Sequence, residues 1–209
     1  MRWYWPIRCS NTVADPLVAD IGSIDITELE PFTSGRPVED WLETQWVGAS
    51  TSDQDGEPDD VLQSYLGIPI YSPRLRCALE AAMIGRIQYL PISVFLSNGS
   101  AIAGYCIANF LDLVPALDLQ KSNYTRYGSD WAAIDPMKVG RISGLRRGVL
   151  VGTALVDRDV IRLQEFWPVY YVSRRFKDSF ESNRCTGYEF IEVRVSWSFS
   201  ATCLPVEPV

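Results

Sequence analysis

The chain has 209 residues, of which 47% are apolar, 22% charged and 12% aromatic, with a net charge of −7 and no histidine. That balance excludes collagen-like, coiled-coil and disordered chains, and the length is enough to build a core without a metal or disulfide staple. The missing histidine excludes Ser-His-Asp and Cys-His catalysis and His-ligated metal sites, leaving only carboxylate, Lys, Tyr or Cys chemistry open.

Charge is unevenly spread. Residues 1–60 carry 13 acids and only Arg2, Arg8 and Arg36 as bases, a net −10; residues 61–209 carry 16 bases and 13 acids, a net +3. An acidic N-terminal region argues against general nucleic-acid binding, which needs a basic face to displace counterions. It suits a basic protein partner, although acidity by itself also serves solubility. Trp3, Trp5 and Ile7 alternate with Tyr4 and Pro6 and predict a short strand with one apolar face. Trp41, Leu42, Trp46 and Val47 predict another short element. Gly48 to Asp60 has no apolar periodicity and reads as an exposed acidic loop, with Pro58-Asp-Asp60 starting a short helix through Leu66 that Gly67 stops. Within that loop Asp53-Gln-Asp55-Gly-Glu57 has the spacing of a hard-cation site but lacks the rest of the ligand set, so a solvated loop is the plainer account.

The middle of the chain is well punctuated. Ile68 to Tyr71 reads as a strand, Ser72 as an N-cap and Pro73 as the first helical residue; Leu75, Ala78, Leu79 and Ala82 carry the helix to about Met83, with Gly85 as its left-handed exit. Ile87 to Leu96 predicts a strand, Asn98-Gly99 a hairpin turn, and Ala101 to Leu113 an antiparallel return. Residues 115–140 read as mixed loop, Ile142 to Val156 as strand, Asp157-Arg-Asp159 as a turn and Val160 to Glu165 as strand.

The C-terminal segment repeats the earlier one at an offset of 101. Ser72 meets Ser173, Arg74 meets Arg175, Leu75 meets Phe176, Leu79 meets Phe180 and Glu80 meets Glu181, while Gly85 and Gly187 differ by one position. The expected fold is therefore α+β: an antiparallel sheet with two Ser-capped helices from an internal strand–helix–strand duplication, with repeats near residues 68–94 and 169–195. The expected organisation is an acidic strand-and-loop region, 1–60, packed on a main domain, 61–209. Arg74 and Arg175 lie in the first turn of their helices, against the helix dipole. Either they contact an anion or partner, or they pair with a carboxylate elsewhere in the fold, which is the reading preferred here. Ser72 and Ser173 have no accompanying base and read as caps rather than nucleophiles.

The chain has no phosphate loop, nucleophile elbow, zinc-protease motif or EF-hand loop, so no catalytic, cofactor or metal residues are assigned. Cys9, Cys77, Cys106, Cys185 and Cys203 form no C-x-x-C pair and read as reduced, mostly buried thiols, as in the cytosol. No apolar run has signal-peptide or membrane-span length, which predicts a cytoplasmic protein without membrane contact.

The order of motifs in residues 65–195 resembles the eleventh immunity-protein family of bacterial polymorphic toxin systems, the Myxococcus-type immunity domain. The residues that carry the resemblance are Val160-Ile-Arg-Leu163, Val172-Ser173, Phe176-Lys177, Phe180-Glu181, Thr186-Gly187 and Tyr188-Glu-Phe190, preceded by Tyr71-Ser-Pro-Arg-Leu75, Tyr105-Cys-Ile-Ala-Asn109 and Leu113. Residues 1–60 and 123–135 match no part of that pattern. The resemblance implies a cytoplasmic antidote that binds and blocks a cognate secreted toxin, of the kind deployed in interbacterial competition and type VI secretion. It also implies a monomer or a toxin-bound heterodimer, and it carries over no catalytic residue. Toxins that attack nucleic acid are commonly basic, so the acidic region is the expected contact surface, through Trp41, Trp46, Asp53, Asp55, Glu57, Asp59 and Asp60. The alternatives are an enzyme using carboxylates, or a small-molecule binder, either of which needs converging acids in a pocket, and a scaffold that self-associates through its sheet.

Overall fold

The computed structural model describes residues 2–8, 18–21, 30–42, 45–50, 58–64, 67–96 and 99–197. The fold is α+β, mostly sheet, with three α-helices among the described residues. A six-stranded sheet runs in the order β10 (Leu113–Val114), β14 (Val160–Leu163), β15 (Tyr170–Ser173), β1 (Trp3–Arg8), β16 (Tyr188–Ser196) and β13 (Val149–Val151). An eight-stranded sheet runs β6 (Ile87–Pro91), β9 (Cys106–Phe110), β5 (Pro69–Tyr71), β4 (Val61–Ser64), β2 (Val18–Ile21), β3 (Trp46–Ser50), β7 (Ser93–Leu96) and β8 (Ala101–Ile102). The strands β11 (Asn123–Arg126) and β12 (Ile142–Arg147) pair with each other as a separate two-stranded sheet. The helices are the short α1 (Glu30–Ser34), which sequence periodicity did not announce, α2 (Pro73–Ala81) and α3 (Arg174–Ser182).

Strand β1 forms as its aromatic pattern predicts, but both of its faces are covered. Trp3 and Trp5 pack in a core with Leu150, Ile161 and Tyr171, whereas Tyr4 joins the core beneath α2 and α3. A central strand between β15 and β16 has no solvent face, so alternation gave only half of its burial. The sheets are mixed rather than purely antiparallel: β2 with β4, β3 with β7, β10 with β14 and β13 with β16 are parallel. Parallel partners require long crossovers, which local pattern does not reveal.

Three further expectations are corrected. The segment expected as a helix after Pro58 is strand β4, because Val61 and Leu62 are buried and pair with Tyr71 and Ile70 of β5; tertiary pairing outweighs the weak helical signal. Ile87–Leu96 is two strands separated at Ile92, and Pro91, which has no N–H to donate, is tolerated because β6 lies at a sheet edge. The strand expected from Ile142 to Val156 breaks at Gly148, where a side chain would collide with Tyr171 Oη, and ends in a 3₁₀ turn, Gly152–Leu155. Asn98 lies outside the described residues; around it Val94 faces Ile102, Phe95 faces Ala101 and Gly99 has φ of 81°, but the return expected over Ala101–Leu113 is antiparallel to β7 only in β8 and then breaks into β9 and β10.

Positions 101 apart make matching contacts. Ser72 Oγ accepts from Leu75 N at 3.1 Å and Ser173 Oγ from Phe176 N at 3.3 Å, so both serines cap their helices as predicted. The helices meet where Ser179 Oγ donates to Ala78 O at 2.9 Å, and these two residues are themselves 101 apart. Leu75, Leu79, Phe176 and Phe180 fill one shared core with Tyr71, Phe110, Tyr170 and Tyr188. The exit expected at Gly85 is displaced: positive φ falls on Met83 (53°) and Arg86 (66°), matching Arg184 (52°) and Gly187 (102°). The residue 101 positions before Gly187 is thus an arginine, not a glycine.

Two polar features lie inside. The hydroxyl of Tyr188 is 3.3 Å from that of Tyr71 and 2.5 Å from that of Tyr170, and burial pushes the Tyr170 hydroxyl up to about 12. Arg162 is buried over the rings of Phe110 and Tyr170, at 5.3 and 5.8 Å, and donates to Trp167 O at 3.1 Å. Of the described thiols, Cys106 and Cys185 are buried, as expected, and Cys77 is exposed on α2; Cys9 and Cys203 lie outside the described residues.

Candidate partner-binding surface

The seven expected contact residues separate into three groups. Asp53, Asp55 and Glu57 lie outside the described residues. Asp59 and Asp60 were expected in an exposed loop and are instead 6% and 4% exposed. Asp60 is the centre of a clamp. It accepts from Ser72 Oγ at 2.5 Å and from Arg74 Nε at 3.0 Å on one oxygen, and from Arg74 Nη2 and the Thr186 N–H on the other, the latter at 2.8 Å. Burial alone raises the Asp60 carboxyl, but the hydrogen bonds from Arg74, Ser72 and Thr186 outweigh it and hold the group below its ordinary value. A carboxylate so engaged, with 5% of its side chain exposed, has nothing left to offer a partner. Asp59 is likewise enclosed, with its carbonyl accepting from Tyr105 Oη at 2.9 Å.

A second clamp mirrors the first. Asp159 accepts from Ser173 Oγ at 2.6 Å and Arg175 Nε at 3.1 Å, and pairs again with Arg175 Nη2. Both first-turn arginines therefore neutralise a carboxylate on the strand side of their own helix, which offsets their unfavourable place in the helix dipole. Sequence alone showed the arginines and serines but not the aspartates, which arrive from the start of the preceding β-hairpin: Ser72 N donates to Asp60 O at 2.8 Å and Ser173 N to Asp159 O at 2.7 Å.

Trp41 and Trp46 differ. Trp41 is half-buried, with Nε1 donating to Pro91 O at 2.8 Å and its ring set edge-on to Phe32 at 6.1 Å. It belongs to the core of the eight-stranded sheet. Trp46 is 39% exposed and stacks edge-on against Phe95, also 39% exposed, with ring centroids 5.7 Å apart. Phe95 is the register partner of Gly48, two residues from Trp46 on the same face of β3. A Cβ at Gly48 would lie 4.0 Å from Trp46 Cζ3, an ordinary van der Waals contact. Phe95 is the residue that sequence reasoning missed; only the parallel pairing of β3 with β7 brings it to Trp46. The acidic segment begins where β3 ends.

One cleft of about 760 Å³ lies at the start of α3, lined by Arg2, Val156, Asp157, Arg158, Asp159, Ser173, Arg174 and Arg175. Each of its four arginines has a carboxylate partner: Arg2 with Glu192, Arg158 with Asp112, Arg174 with Asp178 and Arg175 with Asp159. One of these carboxylates, Asp159, lines the cleft and the other three lie outside its lining. Among the described residues no helix is long and apolar enough to cross a membrane.

The sequence model of an immunity protein family, Imm11, matches residues 22–195, a span that takes in Trp46, Phe95 and both clamps. No curated protein shows a significant match to the chain.

Proposed function

The chain belongs to the immunity protein family Imm11, and from that premise we propose that it is a non-catalytic cytoplasmic antidote that binds one cognate antibacterial toxin and occludes its active site. The observation that carries the surface assignment is the exposed Trp46–Phe95 pair on the eight-stranded sheet. Large aromatics on an interface supply contact area at small entropic cost and are the commonest hot spots. The net −10 of residues 1–60 gives the same region a field that steers a basic toxin toward it. In this reading Trp46 and Phe95 anchor the interface, Asp53, Asp55 and Glu57 contribute charge that attracts the toxin, and Trp41 supports the sheet from within. Asp59 and Asp60 are withdrawn from the interface because they are committed to the fold. The two strand–helix–strand segments we read as copies of one unit, which supplies a rigid support for that surface.

The test is co-expression with the toxin encoded beside this chain. The expected result is a stoichiometric complex and restored growth, with Trp46→Ala/Phe95→Ala weakening the complex by about 30-fold or more. Replacing Asp53, Asp55 and Glu57 by Lys should slow association and flatten its salt dependence. No complex and no protection, with the chain folded, would overturn the reading and turn attention to the arginine-rich cleft as a small-molecule site.

A further inference from the structure

A 25-residue excursion, 123–147, leaves the main sheets as β11 and returns as β12. Its base is anchored, with Ile142 buried and Tyr124 and Leu145 packed against the core beneath the six-stranded sheet. Its tip, residues 127–141, contains no buried residue. Irregular connections of this length inside a compact domain are uncommon and tend to carry function.

The tip is nevertheless built. Tyr127 N donates to Arg141 O and Gly140 N to Tyr127 O, both at 3.0 Å, closing the loop across its neck. Trp131 stands edge-on to Tyr127 at 4.6 Å, and Lys138 Nζ lies 5.6 Å over the Trp131 ring. Asp135 caps the second of two 3₁₀ turns, accepting from Met137 N at 3.1 Å, and pairs with Lys138 at 3.4 Å. These contacts hold the tip in one shape while turning Ile134, Met137 and Val139 outward, 74%, 70% and 40% exposed. Three apolar side chains within six residues, shown to water on a preformed loop, contribute nothing to the core.

Charge sets the arm apart as well. Residues 123–147 hold five bases and two acids, and the rest of 61–209 balances at 11 against 11, so the whole +3 excess of that stretch resides in the arm. Lys138 is already paired with Asp135; Arg141 is exposed at the neck of the tip, and Arg146 and Arg147 are exposed at the base of the arm, where Arg147 faces Asn123.

We propose that the 127–141 tip is a second toxin-binding element: a preformed plug that seats Ile134 and Met137 in an apolar recess of the toxin whose rim is acidic. This deepens the antidote reading and rests on it. The arm's positive charge complements a carboxylate rim, while the negative N-terminal region complements a basic patch elsewhere on the same partner. Two contacts of opposite sign fix one orientation, because turning the partner around sets like charges together. Preformed loops also bind without a large ordering cost. A second copy of this chain is the weaker occupant. An arm reaching the acidic region of a neighbour is a head-to-tail contact, which propagates into filaments unless the rotation closes a ring.

The experiment compares four full-length proteins against the toxin encoded beside the chain: the unaltered chain, Ile134→Asp/Met137→Asp, Arg141→Glu/Arg146→Glu/Arg147→Glu, and Met83→Asp as an exposed apolar control away from the arm. Calorimetric titration should show the tip variant weakened by about 100-fold and the control unchanged. The charge variant should associate more slowly at low salt. Hydrogen exchange on the unaltered chain, which needs no substitution, should show residues 128–140 newly protected in the complex. An unaltered chain that binds and protects, with equal affinity for the tip variant and no protection of 128–140, would overturn the arm and leave the antidote reading standing. A chain that binds no toxin at all would overturn both. Sedimentation showing a dimer that the tip variant dissociates would assign the tip to self-association instead.

Discussion

The two clamps use the same three residue types and hold different things. Asp159 binds Ser173 and Arg175 and, through Arg175 Nη2, reaches Met83 O at the exit of α2 at 3.4 Å. Asp60 binds Ser72 and Arg74 and also takes the Thr186 N–H, at the exit of α3, directly on its own carboxylate. Each clamp thus ties its own strand and helix to the end of the other helix, but by opposite chemistry: one through a cation to a carbonyl, the other through an anion to an amide. The two exits differ in sequence at two adjacent positions. Thr186 stands where the first segment has Gly85, and the next residue is Gly187 where the first has Arg86. Gly187 allows the chain to press against β4, whereas Arg86 turns outward to pair with Asp112 at 2.9 Å. Matching sequence has given matching geometry with unequal dependence on each part.

That inequality can be broken most sharply at the aspartates. Asp60→Ala strands the half-buried Thr186 amide and the buried Ser72 hydroxyl and leaves Arg74 unpaired, and should lower stability by about 3 kcal/mol. Asp159→Ala, which strands no backbone N–H beside an equally exposed arginine, should cost about 1.5 kcal/mol. Urea unfolding of both variants measures the difference, and equal costs would mean that the Thr186 link contributes nothing.

A second comparison uses the exits. Gly187 has φ of 102°, and a Cβ there would stand 3.0 Å from Val61 Cβ and Val61 O. Gly187→Ala should therefore destabilise by about 2 kcal/mol through strain and contact. A Cβ at Gly85 meets nothing within 4 Å, and that residue has no positive φ. Gly85→Ala should be neutral or stabilise by about 0.5 kcal/mol by restricting the unfolded chain. Thermal melts of the pair suffice, and a neutral Gly187→Ala would show that β4 yields to the added methyl.

The smallest effect is on pH dependence. The Asp60 carboxyl is held below its ordinary value of 3.8. A depressed carboxyl contributes stability that is full above the unfolded value and is lost as pH falls through the folded one. Asp60→Asn should flatten the decline in urea midpoint below about pH 4. It should not abolish it, because the Asp118 carboxyl is also lowered: burial raises it, but hydrogen bonds from Lys121 and Ser196 and the Lys121 charge outweigh that. An unchanged acid slope would mean that Asp60 keeps its ordinary value in the folded chain.

What was legible in the sequence was local. Ser72-Pro73 and Ser173 announce their caps because capping is decided within three residues. The aspartates of the clamps were not legible as partners. Asp60 lies 12 residues before Ser72 and Asp159 lies 14 before Ser173, so a constant offset of 101 steps past them by two. Asp59 and Asp60 were misplaced because a run of acids reads as solvated until something is known to face it. At the surface, Trp46 was found from composition and Phe95 was not, since their contact exists only through a parallel pairing of strands 47 residues apart. The arm stood out in sequence only as a stretch without a pattern; its net charge and apolar tip acquire meaning once β11 and β12 are seen to leave the sheets together.

Strand β1 lies between β15 and β16 in the six-stranded sheet, so both of its ladders are made by the last third of the chain. During vectorial synthesis, Trp3 to Arg8 emerge some 180 residues before the β16 residues that complete their pairing, an interval of about 10–35 s at ribosomal speeds. Until β15 emerges this aromatic strand has no ladder to join. The six-stranded sheet closes only once residues 188–196 have left the ribosome, and a chain interrupted before them leaves β1 as an edge strand.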